Sequence, residues 1–252
     1  MGAHEDFEVA AALARLVEQL EPQLVVASGD LSHRGRRGQL EHAAGFLRGL
    51  GPPVLAVPGN HDLPYTPARF YRPWADFERV WETTEPTVSL PGLHVVGINS
   101  ARPFHHQSGG LGGGRLDRAV ARLSTAEPDA LRVAVLHHHL VAAPWRAVRK
   151  RPLARRNDVL HALAAAGADL ILGGHIHQAT VSERHEFEAV GGETRTTVLA
   201  TAPGFGQPRP RRLGEARGLQ VYEADAETIV VRTYGWSGGA WTPAAERRFR
   251  RR

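Results

Sequence analysis

Residues that can bind a divalent cation follow four apolar segments of this 252-residue sequence. They are Asp30 after LVVASG, Asn60 and His61 after VLAVPG, His137 after VAVL, and His175 and His177 after LILGG. A buried strand has no need of such polar side chains, so their recurrence at strand ends predicts a shared binding site. Mixed nitrogen and oxygen ligands favour Mn, Fe, Zn or Co over Mg or Ca.

Alternating helices and strands are predicted to position these residues. Hydrophobic periodicity indicates a helix over 5–20, and further helices and apolar strands alternate up to residue 177. Beyond residue 178 the pattern changes to short strands separated by turns. In open α/β sheets, side chains at the carboxyl ends of neighbouring strands meet in one crevice. We therefore expect one α/β domain over residues 1–252, with the six residues at one sheet edge.

Composition excludes several classes of site and of protein. The sequence has no cysteine, which rules out disulfides, thiolate zinc sites and cysteine nucleophiles. No apolar stretch reaches the roughly 20 residues that span a bilayer, and no signal peptide is visible, so we expect a cytoplasmic protein without a membrane partner.

The positive charge is concentrated at the carboxyl end of the chain. Five arginines in the last six residues equal the whole net charge of +5, and we expect residues 246–252 to form a disordered basic tail. A second basic segment, 146–156, is either an exposed loop and helix start or a surface that faces an anionic substrate. Nucleic acid is thus an alternative partner, but not the favoured one.

Four motifs together resemble those of the calcineurin-like metallophosphoesterase superfamily. They are GDLSHRG (29–35), GNHD (59–62), LHHHL (136–140) and GHIH (174–177). Each motif alone is weak, but the order and the strand-end positions make the set specific. The spacing is most similar to that of the bacterial class III cyclic-nucleotide phosphodiesterases. The resemblance implies a four-layer α/β/β/α sandwich.

The same resemblance implies a role for each site residue. Asp30 would bridge two divalent metal ions, with Asn60, His137 and His175 completing the shell of one ion and His177 binding the other. His61 would lie near the substrate phosphate as the catalytic residue, and the loop 102–107 would lie over the pocket. The first histidine of the family's motif selects His137, although a slip of one residue would select His138 or His139.

One motif of that family has no counterpart in this sequence. The family begins with a strand that ends in Asp-x-His and supplies two further ligands to the ion that His177 would bind, whereas this chain begins MGAHEDF. Two explanations are open. Either the coding region was cut at an internal methionine, which we favour, or the protein is a natural one-metal or inactive relative. The expected fold is then a sandwich without its first strand, with two metal ions or only one in this chain.

The expected function is metal-dependent hydrolysis of a cyclic nucleotide or another small phosphodiester. Two cations would neutralise the diester and prepare a metal-bound hydroxide for attack, and His61 would stabilise charge or protonate the leaving oxygen. A nuclease or a phosphomonoesterase is the alternative within the same chemistry. The alternative of a different class is a non-catalytic metal-binding scaffold with an incomplete site.

Overall fold

The fold is described from a computed structural model of the protein. The described residues are 3–105, 107–141, 151–185, 196–206 and 217–251. Their helices are α1 (Ala3–Leu20), α2 (Arg37–Arg48), α3 (Ala68–Tyr71), α4 (Ala75–Trp81), α5 (Arg115–Leu123) and α6 (Arg156–Ala165). Their strands are β1 (Val25–Ala27), β2 (Val54–Ala56), β3 (Thr87–Leu90), β4 (Leu93–Ile98), β5 (Leu131–Leu136), β6 (Leu170–Gly173), β7 (Thr180–His185), β8 (Thr196–Thr201), β9 (Gly218–Ala224), β10 (Thr228–Ser237) and β11 (Ala240–Arg250).

The strands form three sheets. The largest has the order β3-β4-β5-β6-β8-β7, and its four central strands are parallel. Strands β1 and β2 form a two-stranded parallel sheet, and β9 to β11 form an antiparallel sheet. The central strands β4 to β6 are almost entirely buried, as expected of parallel strands covered on both faces.

Two hydrophobic clusters cover the two faces of the six-stranded sheet. On one face, α5 and α6 pack against the parallel strands through residues such as Leu123, Leu163 and Leu136. On the other face, side chains of the parallel strands meet those of β1, β2, β10 and β11, among them Leu55 and Val231. The smaller sheets therefore form a second layer against the large one.

A fourth layer of helices covers the smaller sheets. Helix α1 packs on the antiparallel sheet through Val9 and Leu13, which lie in one cluster with Trp241. Helices α2 and α4 cover β2, with Leu40 and Phe77 buried. The layer order is thus helix, sheet, sheet, helix, which confirms the predicted α/β/β/α sandwich.

The predicted disordered tail is wrong for the residues that the structure describes. Residues 246–250 belong to β11, which pairs with β10 along its whole length. Phe249 points into the core between the sheets and is 9% exposed, and Glu246 accepts a hydrogen bond from Arg232 at 2.6 Å. The prediction considered the arginine run and ignored the apolar residue within it, whose burial stabilises the strand.

Some predicted features lie outside the described residues. These are residues 146–150 of the basic segment, His106 of the loop 102–107, part of the strand-rich segment after residue 178, and Arg252. Within the described ranges, none of the helices combines the length and the apolar character needed to cross a membrane.

Candidate metal centre

Four of the predicted ligands meet where strands of the two sheet layers end. Asp30 and Asn60 follow β1 and β2, and His137 and His175 follow β5 and β6. Strands β1 and β2 are parallel to each other, and so are β5 and β6. Within each pair, the carboxyl ends therefore lie at the same edge of the sheet. The layers are joined at this edge by the Ser28 carbonyl oxygen, which is 2.8 Å from Nδ1 of His137.

The ligand atoms of these residues converge on Nε2 of His137. It lies 3.1 Å from Oδ1 of Asn60, 3.1 Å from Nδ1 of His175 and 3.4 Å from Oδ2 of Asp30. Ligand atoms of Asp30, His137 and His175 all lie within 4.8 Å of one another. Asn60, His137 and His175 are buried, and Asp30 is half-buried. The arrangement has the size and the ligand types of a site for one transition-metal ion.

The proton position on His137 shows why this group suits a cation. A carbonyl oxygen can only accept, so Nδ1 of His137 carries the proton that is donated to Ser28. In the neutral ring, Nε2 then presents a lone pair toward the oxygens of Asn60 and Asp30. Lone pairs that converge in a buried site repel one another unless a proton or a cation lies between them. Metal-binding histidines commonly donate their second N–H to a carbonyl in this way.

The charges at the centre are strongly coupled. Burial by itself raises the pKa of Asp30, but the charge and hydrogen bond of His137, with the charge and backbone N–H of His61, lower it far below its usual range. Burial lowers the pKa of His137, but the charge and hydrogen bond of Asp30, with the Ser28 carbonyl and the charge of Asp62, together outweigh it, and the net shift is upward. The centre therefore favours a negative carboxylate and a positive charge beside it, which a bound cation would also supply.

The backbone is strained at three predicted site residues. Asp30, His175 and His177 have φ values of 58°, 70° and 56°, in the left-handed region that most residues other than glycine avoid. In the part of the chain that the structure describes, six non-glycine residues have positive φ, and half of them are these three. Strain of this kind persists where surrounding contacts impose it, and it is concentrated at functional sites.

The two remaining predicted residues lie beside the ligand group of Asp30, His137 and His175. His177 is half-buried two residues after His175 and is not a member of that group. His61 follows Asn60, and its backbone N–H donates to Oδ1 of Asp30 at 2.9 Å. Nδ1 of His61 lies 3.2 Å from the carbonyl oxygen of His33, so it carries a proton in that contact.

Asp62 is a residue of the centre to which sequence reasoning assigned no role. Its carboxylate accepts hydrogen bonds from the backbone N–H of Leu31, Ser32 and Gly59, at 3.2, 2.7 and 2.8 Å. The hydroxyl of Ser32 adds a fourth, at 3.0 Å. The loop that carries Asp30 is thereby fastened to the loop that carries Asn60. Burial and the charge of Asp30 raise the pKa of Asp62 to about 6, against the opposing effect of these N–H groups.

Ser100, two residues after the end of β4, makes comparable contacts on the other side of the centre. Its Oγ accepts the backbone N–H of His138 at 3.1 Å and lies 2.9 Å from Nδ1 of the same residue. The fully buried ring of His138 also contacts Gly109, where a Cβ atom would be 2.3 Å from the ring. These contacts fix the ring of His138, which packs against the ligand His175 with ring centroids 4.7 Å apart.

The sequence contained a signal for both residues. Asp62 is the last residue of the quoted motif GNHD, and Ser100 follows the strand LHVVGI as the other site residues follow theirs. Sequence reasoning examined strand ends for metal ligands alone, and so it passed over a carboxylate and a hydroxyl that orient the ligands.

Comparison with known proteins gives the family of the sequence and supports the fold. A family model described as calcineurin-like phosphoesterase matches residues 4–179. A probable cyclic nucleotide phosphodiesterase of Synechococcus sp. is 30% identical over 207 residues, which cover 79% of this chain and 72% of that protein. A 3′,5′-cyclic adenosine monophosphate phosphodiesterase of Haemophilus influenzae is 23% identical over 201 residues, which cover 77% of this chain and 69% of that protein. The structure of GAP50, described as the anchor in the inner membrane complex of Plasmodium, superposes with a TM-score of 0.63 at 12% identity, covering 100% of this chain and 86% of that one, which supports the fold alone.

Proposed function

Because this chain belongs to the calcineurin-like phosphoesterase family, we propose that it hydrolyses small phosphodiesters, cyclic nucleotides among them, with a divalent cation at the described centre. The observation that carries the proposal is the convergence of Asp30, His137 and His175, whose ligand atoms lie within 4.8 Å of one another. The names of the two curated relatives give the cyclic nucleotide as the first substrate to test.

One cation would be held by Asp30, Asn60, His137 and His175, and His177 would contribute to a second. These nitrogen and oxygen ligands suit Mn, Fe, Zn or Co. When bound, such a cation neutralises the negative phosphodiester and lowers the pKa of a water molecule.

His61 would protonate the leaving oxygen. Two contacts orient this residue beside the ligands: its backbone N–H donates to Oδ1 of Asp30, and its Nδ1 lies 3.2 Å from the carbonyl oxygen of His33. Protonation of a leaving alkoxide by a positioned imidazolium typically contributes about 10²- to 10⁴-fold in rate. The contribution vanishes when the leaving group is already a stable anion, and this gives a specific test.

The test compares two diesters in the wild type and in His61→Gln. With Mn²⁺ present, we expect the variant to lose about 100-fold or more in kcat on 3′,5′-cyclic AMP, which releases an alkoxide. On bis(4-nitrophenyl) phosphate, which releases a stable phenolate, we expect a loss of less than about tenfold. His42→Gln, on the exposed face of α2, is the matched control. Equal losses on both diesters would refute the role of His61, and an inactive wild type with Mn²⁺ bound would refute the proposed function.

A non-catalytic single-metal scaffold is the second candidate function. The described residues bring together ligands for one cation, and His177 lies outside that group. Metal analysis after dialysis separates the two candidates. One tightly bound ion per chain without hydrolysis of either diester supports the scaffold, and metal-dependent turnover excludes it.

A further inference from the structure

Exposed aromatic side chains are concentrated at one place on the described surface. The large hydrophobic residues that are exposed are Phe7, Tyr65, Phe70, Tyr71 and Phe104. All except Phe7 lie in two short segments, 65–71 and 101–105. The rings of Phe70 and Phe104 contact each other, with centroids 5.4 Å apart and planes inclined by 31°, yet they are 57% and 73% exposed. Soluble proteins rarely leave grouped aromatic rings in water without a binding purpose.

Both segments begin at the metal centre. The first begins four residues after His61, and the hydroxyl of Tyr65 lies 3.5 Å from Nδ1 of that histidine. The second follows Ser100, which is bonded to His138 beside the ligands. Nε of Arg69 donates to the carbonyl oxygen of Pro103 at 2.5 Å and joins the two segments. The segments that carry the ring pair are thus joined to each other and connected to residues beside the ligands, His61 and Ser100.

The surroundings of the ring pair indicate its occupant. Arg69 lies in α3 directly before Phe70, and Arg102 lies in the second segment, two residues before Phe104. The segments therefore combine exposed aromatic faces with two guanidinium groups, next to a site for a cation. This combination suits a small anion that carries a flat ring, because rings stack on aromatic faces while the anionic group pairs with the cations.

We propose that Phe70 and Phe104 form an aromatic platform that stacks the base of a nucleoside phosphodiester whose phosphate lies at the metal centre. This inference rests on the proposed function and adds the residues that select the substrate. It makes the protein selective for diesters that bear a base over aliphatic diesters. Stacking of a base on an aromatic side chain tolerates different bases, so the platform distinguishes ring from no ring and not one base from another.

The test removes the platform and compares a diester with a base and one without. In Phe70→Ala/Phe104→Ala, we expect KM for 3′,5′-cyclic AMP to rise about tenfold or more with kcat within about twofold. For glycerophosphoethanolamine, which has no ring, both constants should change less than about twofold. Phe70→Tyr/Phe104→Tyr should restore the KM for cyclic AMP. Phe7→Ala and Tyr71→Ala, which remove equally exposed rings outside the pair, are the matched controls.

Three outcomes would overturn the inference. The first is an equal loss on both diesters, and the second is no loss on either. The third is a wild-type dimer, seen by analytical ultracentrifugation, that becomes monomeric in the double variant without a change in KM, because the rings would then bind a second copy. If the wild type hydrolyses neither diester, the proposed function fails, and calorimetric titration with adenosine 5′-monophosphate against ribose 5-phosphate still tests the platform. Weaker binding of the nucleotide alone in the double variant supports it, and unchanged binding refutes it.

Discussion

The two sides of the metal centre are built by different means. On the carboxylate side, which comprises residues 28–35 and 59–62, a single buried carboxylate at Asp62 accepts four hydrogen bonds and fastens both loops. On the histidine side, which comprises residues 136–140 and 173–178, a neutral hydroxyl at Ser100 and the close contact of Gly109 orient the ring of His138.

The difference predicts unequal tolerance to substitution. Hydrogen bonds to a charged group contribute more than those to a neutral one, and a buried donor left without its acceptor costs about 1–3 kcal/mol. The carboxylate side depends on the Asp62 carboxylate and its several buried partners, so a change of this one group should disturb both loops together. The histidine side divides its contacts between a hydroxyl, a loop and the strands, so single changes should have smaller effects.

Loss of a ligand from either side should have the largest effect. We expect Asp30→Ala and His175→Ala each to weaken Mn²⁺ binding by more than about 100-fold, beyond the range caused by changes outside the ligand shell. Isothermal titration calorimetry of the dialysed proteins measures this, with His42→Ala as the control. If either variant binds Mn²⁺ as the wild type does, the ion is not held by that residue, and the assignment of the centre is wrong.

The next effect should come from Asp62→Asn. The amide keeps the shape of the side chain, but it offers one acceptor oxygen in place of two, and its NH₂ group faces N–H donors. The N–H groups of Leu31 and Gly59 lose their acceptor if the NH₂ group replaces Oδ2, and that of Ser32 does if it replaces Oδ1. We expect the free energy of unfolding, from urea denaturation, to fall by about 2–4 kcal/mol. Ser32→Ala, which removes one hydrogen bond to Asp62 and the acceptor of the Gly35 N–H, should cost less than Asp62→Asn.

The same residue predicts a pH dependence. The pKa of Asp62 is raised in the fold from 3.8 to about 6, so the folded state binds its proton more tightly than the unfolded state does. This contribution to stability is fully present below pH 3.8 and is lost as pH rises through 6. In the presence of a chelator, which keeps the protein free of metal, the difference in unfolding free energy between wild type and Asp62→Asn should therefore decrease from pH 4 to pH 7. A difference that grows over this range would contradict the shift.

The layered fold and most of the site could be predicted from sequence because they depend on repeated local patterns. Apolar runs predicted the parallel strands, and polar residues at their ends predicted where Asp30 and His137 would meet. Pairing along β10 and β11 depends on contacts between distant residues, so the charge of the last segment alone gave the wrong result for Phe249. The role of Asp62 depends on backbone N–H groups, which every sequence contains and no residue type reveals.

Ser100→Ala should have the smallest effect of these changes and is the sharpest test of the histidine side. The variant removes one hydroxyl that orients His138 and leaves every ligand in place. We expect Mn²⁺ affinity to fall about tenfold, as for other contacts that orient ligands from outside the shell, with unfolding free energy lower by about 1 kcal/mol. Ser100→Thr keeps the hydroxyl and should restore the affinity.

The pattern across these variants decides whether Ser100 is a positioning residue or part of the packing alone. A purely structural role lowers unfolding free energy in Ser100→Ala and leaves Mn²⁺ affinity at the wild-type value, because Asp30, His137 and His175 would still meet. A positioning role lowers affinity even at a temperature where the variant is fully folded, since the ring of His138 can then shift and move the ligand His175 that it packs against. A loss of affinity as large as that of His175→Ala would show that the two sides of the centre are equally dependent on single groups, and the contrast between them would be wrong.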